Sequence, residues 1–81
     1  MKHAFSRKII DQYNALPPEV KSKADKQVAF LIANLRHPSL RAKKYDEARD
    51  ICQARVDDDY RFYFQIESDT YKILSVRRHP K

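Results

Sequence analysis

The chain has 81 residues, which predicts one small domain over residues 1–81, with too thin a core for a buried catalytic chamber and room for a shallow surface site. Glycine is absent, which excludes the Gly-rich loops of nucleotide-binding proteins, and no apolar run approaches the roughly 18 residues of a membrane span. Lys and Arg total 17 against 11 Asp and Glu, and the net charge of +6 favours a polyanionic partner such as RNA, DNA or an acidic protein segment.

The cysteine content and the start of the chain indicate a cellular compartment. The single cysteine, Cys52, excludes an internal disulfide and fits a reducing environment. The first residues lack the hydrophobic stretch of a secretory signal. We therefore expect a cytoplasmic protein with no membrane association.

Two helices are predicted in the first half of the chain. After a short extended start at residues 2–5, apolar residues recur at helical spacing from Ser6, a favourable N-cap residue, to Leu16. Pro17-Pro18 ends this helix, and the second helix spans residues 18–35, because proline is tolerated in a first helical turn. We expect the two helices to form an antiparallel hairpin.

The second half of the chain has the period of β-strands. Residues 39–50 are a polar connection with one short strand near residues 43–45. Alternating polar and apolar residues then predict three strands joined by tight connections, with the strands at residues 51–56, 60–67 and 71–77 and the connections at residues 57–59 and 68–70. The fold class is therefore α+β, with an N-terminal two-helix hairpin packed on one face of a small antiparallel β-sheet.

Strand parity places arginines on the face that the helices leave uncovered. Alternate apolar residues of the middle strand must pack under the helices, so Arg61 and Tyr63 point away from them. If residues 57–59 form a three-residue hairpin loop, Arg55 lies directly opposite Arg61, with Cβ atoms about 5 Å apart. Two like charges at that separation repel, so the arrangement indicates an anion between the guanidinium groups, and phosphate fits best. The alternative is two solvated charges that are offset by Asp57, Asp58 or Asp59.

The turn before the last strand sets the register of that strand. A three-residue turn places Arg77 opposite the arginine of the middle strand, whereas a two-residue turn would place it on the core side. We predict that Leu74 and Val76 point inward. That register leaves Ile73 outward and puts Arg77 and His79 on the uncovered face.

The predicted arginine face suits the binding and cleavage of RNA. Arginines bind phosphates bidentately, Tyr63 offers a stacking surface, and Lys43 and Lys44 at the border add salt-dependent affinity. Cleavage by attack of the 2′-hydroxyl on the adjacent phosphate requires neutralisation of oxyanion charge, which arginines supply without a metal ion or other cofactor. It also requires a group that transfers protons, and His79 is the candidate because histidine exchanges protons near neutral pH.

These residues resemble the RelE/ParE toxin superfamily of bacterial toxin–antitoxin systems. The resemblance rests on the helical hairpin, the basic connection, the segment Ala54-Arg55-Val56 followed by Tyr60-Arg61-Phe62-Tyr63-Phe64, and a last strand with a basic tail. It implies a RelE-like toxin of a type II system: a metal-free endoribonuclease that cuts messenger RNA in the ribosomal A site and inhibits translation. It also implies a cognate antitoxin, with the toxin itself monomeric or part of a toxin–antitoxin hetero-oligomer.

The resemblance also assigns roles to particular residues. Arg61 matches the phosphate-binding arginine that follows a tyrosine, and Arg55 matches a basic position on the neighbouring strand. Arg77, Arg78 and His79 match the last-strand region that supplies further phosphate contact and leaving-group chemistry. The residues expected to contact RNA around these catalytic candidates are Lys43, Lys44, Tyr63, Arg78 and Lys81.

Two points stay open at the level of the sequence. RelE-type members often continue beyond this cluster to a tyrosine or another proton-transfer residue, whereas this sequence stops at His79-Pro80-Lys81. Either His79 takes that role or the activity is weak or absent. ParE-type members share the fold but inhibit DNA gyrase, so the alternatives are a gyrase inhibitor and an inactive relative that binds its antitoxin or RNA.

Overall fold

A mixed five-stranded sheet with two helices on one face makes up the fold. The computed structural model describes residues 2–79. In chain order the elements are β1 (Lys2–Phe5), α1 (Arg7–Asn14), α2 (Pro18–Ala33), a 3₁₀ turn (Pro38–Leu40), β2 (Lys43–Asp46), β3 (Ile51–Arg55), β4 (Tyr60–Glu67) and β5 (Thr70–Arg78). The strands lie in the order β1-β5-β4-β3-β2. Within residues 2–79, neither helix has the length and apolarity needed to cross a bilayer.

The helices follow a first strand, so the predicted N-terminal helical hairpin is wrong in its order. β1 pairs in parallel with β5, from Lys2 opposite Thr70 to Phe5 opposite Ile73, and the sheet is therefore mixed rather than antiparallel throughout. All four residues of β1 are exposed. A strand with no buried side gives the sequence no alternation of apolar and polar residues, so it cannot be distinguished there from an extended tail. The other neighbouring strands pair antiparallel, as predicted.

Both helices begin where the sequence predicts, and both end earlier. α1 ends at Asn14 and not at Leu16. Ser6 is the N-cap of α1, and its hydroxyl oxygen accepts a hydrogen bond from the Ile9 amide at 3.1 Å. α2 ends at Ala33 rather than at Leu35, because Asn34 adopts an extended conformation with φ −161°. The helical period of the sequence therefore extends slightly beyond the helix itself.

The core lies between the helices and one face of the sheet. Phe62 and Phe64 of β4 are fully buried at its centre. The side chains that pack around them are Ile9, Leu16, Val20, Ala24, Leu31, Leu40, Ala54, Val56, Tyr71, Ile73 and Val76. The buried Gln27 amide of α2 donates to the carbonyls of Ser39 and Arg55 at 3.1 and 2.8 Å, which ties α2 to the end of β3.

The connection between β4 and β5 is one residue shorter than predicted. Glu67 pairs with Thr70, so the turn consists of Ser68 and Asp69. Ser68 takes a left-handed conformation with φ 52°, which tight two-residue hairpin turns require. With regular pairing throughout, this turn would place Arg77 on the core side of the sheet.

A β-bulge at Leu74 restores the predicted register. Leu74 is the extra residue where the pairing of β4 with β5 shifts by one position. Ile73 before the bulge and Val76 after it both lie in the core, at 1% and 3% exposure. The prediction that Ile73 points outward and Leu74 inward is therefore wrong, since Leu74 is only half-buried. The inward position of Val76 and the pairing of Arg77 with Arg61 are confirmed.

Side chains of α1 satisfy the backbone of the bulge. β1 pairs with β5 only as far as Ile73, so the residues beyond it need other partners on that edge. The Ser6 hydroxyl donates to the Leu74 carbonyl at 2.7 Å, and the Gln12 side-chain oxygen accepts from the Val76 amide at 2.9 Å. α1 thus holds β5 in the bulged register that positions its last residues.

We predict that Ser6→Ala lowers the free energy of unfolding by about 2 kcal/mol, because it removes the N-cap acceptor of α1 and the donor to the Leu74 carbonyl. Urea unfolding followed by far-UV circular dichroism measures the change. Ser22→Ala, at an exposed position of α2, is the control and should alter stability by less than about 0.5 kcal/mol. An equally small effect of Ser6→Ala would show that the cap does not stabilise the bulge.

Candidate nucleic-acid interface

Three arginines from adjacent strands form a row on the face of the sheet opposite the helices, which we call the open face. Arg55 pairs with Arg61, and Arg61 pairs with Arg77, which confirms the predicted register. Paired residues of neighbouring strands have Cβ atoms about 5 Å apart, so the charges of this arginine row repel one another. The row therefore needs negative charge or hydrogen-bond acceptors, from the protein itself or from a bound anion.

The hairpin loop between β3 and β4 supplies partners for two of these arginines. The Asp58 carboxylate accepts a hydrogen bond from Arg55 Nη2 at 2.5 Å. Arg61 Nη1 donates to the carbonyl oxygen of Asp57 and, at 2.9 Å, to that of Tyr60. A guanidinium group carries five N–H donors in a rigid plane, so the two carbonyl bonds orient Arg61 while they use a minority of its donors.

Contacts with α2 and with the end of β5 hold this loop in place. Asp57 Oδ1 accepts hydrogen bonds from the amides of Asp59 and Tyr60, both at 2.8 Å, which closes the loop in the way aspartate favours. Asp57 Oδ2 lies 3.6 Å from Lys23 Nζ of α2. The Asp59 carbonyl accepts from the His79 amide at 2.7 Å. The segment that orients two arginines is therefore anchored on both sides.

Arg77 is held by aromatic rings. Its guanidinium carbon lies 4.3 Å from the centre of the Tyr63 ring and 5.9 Å from that of the Tyr45 ring, at distances typical of cation–π contacts. The two rings meet edge to face with their centres 4.8 Å apart. These neighbours leave Tyr63 only 3% exposed, so the prediction that Tyr63 offers an open stacking surface is wrong.

Tyr45 is the exposed aromatic residue of this site, and the sequence analysis missed it. Its side chain is 52% exposed. It lies at a second bulge, where the register of β2 against β3 shifts between Lys44 and Asp46. Bulges re-aim side chains next to functional sites. The short strand shows no polar–apolar alternation, so the one signal in the sequence is an aromatic residue beside two lysines.

The two lysines of β2 lie on different faces of the sheet. Lys43 is exposed and pairs with Gln53 on the open face, as the predicted border position requires. Lys44 pairs with Cys52 on the helix side, so the prediction that it joins the RNA-binding face is wrong. A hydrogen bond to the Asp50 carboxylate holds the Lys44 amino group there and raises the pKa of Lys44.

The last residues of β5 also divide between the faces. Arg78 pairs with Tyr60, whose side chain packs against the core, so Arg78 lies on the helix side. Its expected contact with RNA stays a prediction. His79 is half-buried and stays beside the hairpin loop through its backbone hydrogen bond. Lys81, also expected to contact RNA, lies outside the described residues. Across residues 2–79, no three His, Cys, Asp or Glu side chains converge in a way that could hold a metal ion.

Comparison with solved structures finds the same fold in bacterial toxins. The chain is similar to the YoeB/ParE toxin from Agrobacterium tumefaciens, with a TM-score of 0.82 and 12% identity over 99% of this chain and 100% of that one. It is similar to the YoeB dimer from Staphylococcus aureus, with a TM-score of 0.80 and 14% identity over 99% and 98% of the two chains. It is also similar to a chain of the intact E. coli RelBE toxin–antitoxin complex, with a TM-score of 0.74 and 13% identity over 99% of this chain and 98% of that one.

The chain therefore has the fold of these toxins, and the resemblance seen in its sequence is confirmed at the level of the fold. No protein-family model matches the sequence, and no curated protein matches it. The sequence identities of 12% to 14% are low, so the likeness shows a shared fold and carries no chemistry with it. Any activity depends on the residues of the open face.

We predict that Asp58→Asn raises the affinity of the open face for single-stranded RNA about two- to fivefold, because it removes the carboxylate that neutralises Arg55. Fluorescence anisotropy with a labelled RNA hexamer measures the change. The hexamer is 2′-O-methylated so that it cannot be cleaved. The gain should shrink as the salt concentration rises.

Asp69→Asn is the matched control for this experiment. It removes one negative charge from the turn at the opposite end of β4, where Asp69 lies 3.8 Å from the exposed Lys2 amino group. Its effect on RNA affinity should be smaller than that of Asp58→Asn. Equal gains in the two variants would mean that net charge, and not release of Arg55, controls the affinity.

Proposed function

We propose that this chain is the toxin of a type II toxin–antitoxin system and acts as a ribosome-dependent endoribonuclease on messenger RNA in the ribosomal A site. The observation that carries the proposal is the arginine row on the open face of a RelE-type fold. Guanidinium groups bind phosphate oxygens bidentately, so three of them on adjacent strands fit a phosphodiester. Cutting messages at this point inhibits translation.

In the proposed reaction, the 2′-hydroxyl oxygen of one nucleotide attacks its neighbouring phosphorus while the bond from phosphorus to the next 5′ oxygen breaks. The 2′ oxygen loses a proton and the 5′ oxygen gains one, which leaves a 2′,3′-cyclic phosphate and a 5′-hydroxyl. The arginine row offsets the negative charge that develops on the non-bridging oxygens. His79 is the candidate proton donor to the 5′ oxygen, because its backbone bond to Asp59 keeps it beside the loop that orients Arg55 and Arg61.

We predict that Arg77→Gln lowers messenger RNA cleavage about 100-fold and relieves growth arrest when the chain is expressed in a bacterial host. Arg77 is the best position for this test because its guanidinium group contacts aromatic rings. Arg61 donates a hydrogen bond to the backbone of the hairpin loop, so a substitution there would change the folding of the loop as well as RNA binding. Primer extension on cellular transcripts after induction measures cleavage, and the wild-type cuts should follow the phase of the codons.

Arg36→Gln is the matched control, since Arg36 is exposed beyond the end of α2 and the charge change is the same. It should remain as toxic as the wild type. Full toxicity of Arg77→Gln would contradict the proposed role of the arginine row. Intact transcripts with DNA damage would instead identify a gyrase inhibitor, and the absence of any toxicity with antitoxin binding retained would identify an inactive relative.

We also propose that a cognate antitoxin binds the helix side of the molecule. The similar E. coli structure is a toxin–antitoxin complex. In this chain an apolar groove of about 320 Å³ lies between β1, α1 and α2. Phe5 and Ile10 in this groove are 47% and 50% exposed, and an exposed apolar patch of this kind is typical of an interaction surface. An amphipathic helix fits such a groove, and an acidic one would complement the net charge of +6.

We predict that Ile10→Glu leaves toxicity intact but weakens antitoxin binding at least about tenfold, because it places a charge in the apolar groove. Growth rescue and copurification on coexpression with the neighbouring gene measure the effect. Ala29→Glu, at an exposed position of α2, is the control and should be rescued like the wild type. Full rescue of Ile10→Glu would show that the antitoxin does not use this groove.

A further inference from the structure

An arginine and two tyrosines form a stack on the open face. Tyr63 is the buried member of this stack, with 3% exposure. Arg77 covers its ring, with the guanidinium carbon 4.3 Å from the ring centre. Tyr45 meets the edge of the Tyr63 ring at 4.8 Å, with 63° between the ring planes. Arg77 therefore packs on the buried Tyr63 ring, and the exposed Tyr45 ring lies beside it.

Tyr45 packs against its neighbours through only part of its surface. It does not belong to the core cluster or to the side chains packed against that cluster, and 52% of it remains exposed. Its position at the β2 bulge aims it toward the arginine row rather than along the sheet edge.

The residues around Tyr45 indicate the chemistry of a ligand that would cover its ring. Arg77, within 5.9 Å of the Tyr45 ring centre, is exposed, and Lys43 lies on the same face two residues earlier. A ligand for this surface therefore combines a flat ring with an anionic group. Proteins that bind single-stranded nucleic acid place bases on aromatic rings and arginine planes while cations hold the backbone.

We propose that Tyr45, together with the exposed side of Arg77, is the stacking surface for one nucleobase next to the phosphate that the arginine row binds. The inference rests on the proposed function, since it assigns a base to the same RNA that the row holds by its backbone. It makes Tyr45 a binding residue that distinguishes a nucleotide with a base from a bare phosphodiester. Every base has a flat face, so this surface adds affinity without selecting one sequence.

The test compares two ligands on two variants. One ligand is the 2′-O-methylated RNA hexamer, and the other has the same backbone with its bases removed. Tyr45→Ala should bind the base-bearing hexamer about tenfold more weakly and the abasic one unchanged, because stacking is lost and the phosphate contacts remain. Tyr45→Phe should bind both like the wild type. Ile66→Ala, which removes another exposed apolar side chain of the sheet, should change neither.

The outcomes separate this inference from the proposed function. If Tyr45→Ala weakens binding of both hexamers equally, Tyr45 acts by supporting Arg77, and the stacking role is overturned. No loss with either hexamer overturns it as well. In both cases, weaker binding of the abasic hexamer to the Arg77→Gln variant would still support the phosphate site. If the wild type binds neither hexamer, the RNA interface and the stacking surface fail together.

Discussion

The bulge at Leu74 decides which side chains of β5 share a face with the arginines of β4. The two-residue turn before β5 would otherwise send Arg77 into the core and a core residue to the surface. Because the extra residue shifts the pairing by one position, Ile73 and Val76 both reach the core, and Arg77 reaches the open face. The Ser6 hydroxyl joins the carbonyl of the bulge residue to the start of α1. The packing of a helix on one side of the sheet thus sets the charge arrangement on the other.

Electrostatic repulsion within the arginine row is offset locally rather than removed. Asp58 neutralises Arg55, backbone carbonyls surround one nitrogen of Arg61, and an aromatic ring supports Arg77. Each contact fixes a guanidinium group before any ligand arrives, which lowers the entropic cost of binding a phosphate. The solved structures with this fold that are described above are only 12% to 14% identical to the chain, so these contacts, and not the fold, are the basis for inferring a function.

The sequence predicted the parts of this site that depend on local chemistry. The pairing of Arg55 with Arg61 follows from an acidic loop whose residues favour a tight turn, so parity alone places both arginines. Arg77 was predicted on the correct face through two errors that cancel, a turn one residue too long and a bulge left out. The burial of Tyr63 was not predictable, because it depends on Arg77 folding over the ring. The alternation along a strand predicts on which face of the sheet a side chain lies, but it does not predict which side chains pack against it.

The most direct test of the account is a nuclear magnetic resonance titration of ¹⁵N-labelled protein with a 2′-O-methylated RNA hexamer. It follows backbone amides and the Nε–H groups of arginines. We expect shifts in Arg55, Arg61 and Arg77 and in the amides around them, with the groove between β1 and α1 unchanged. Shifts concentrated in that groove, with the three arginine signals unmoved, would contradict a phosphate site on the open face.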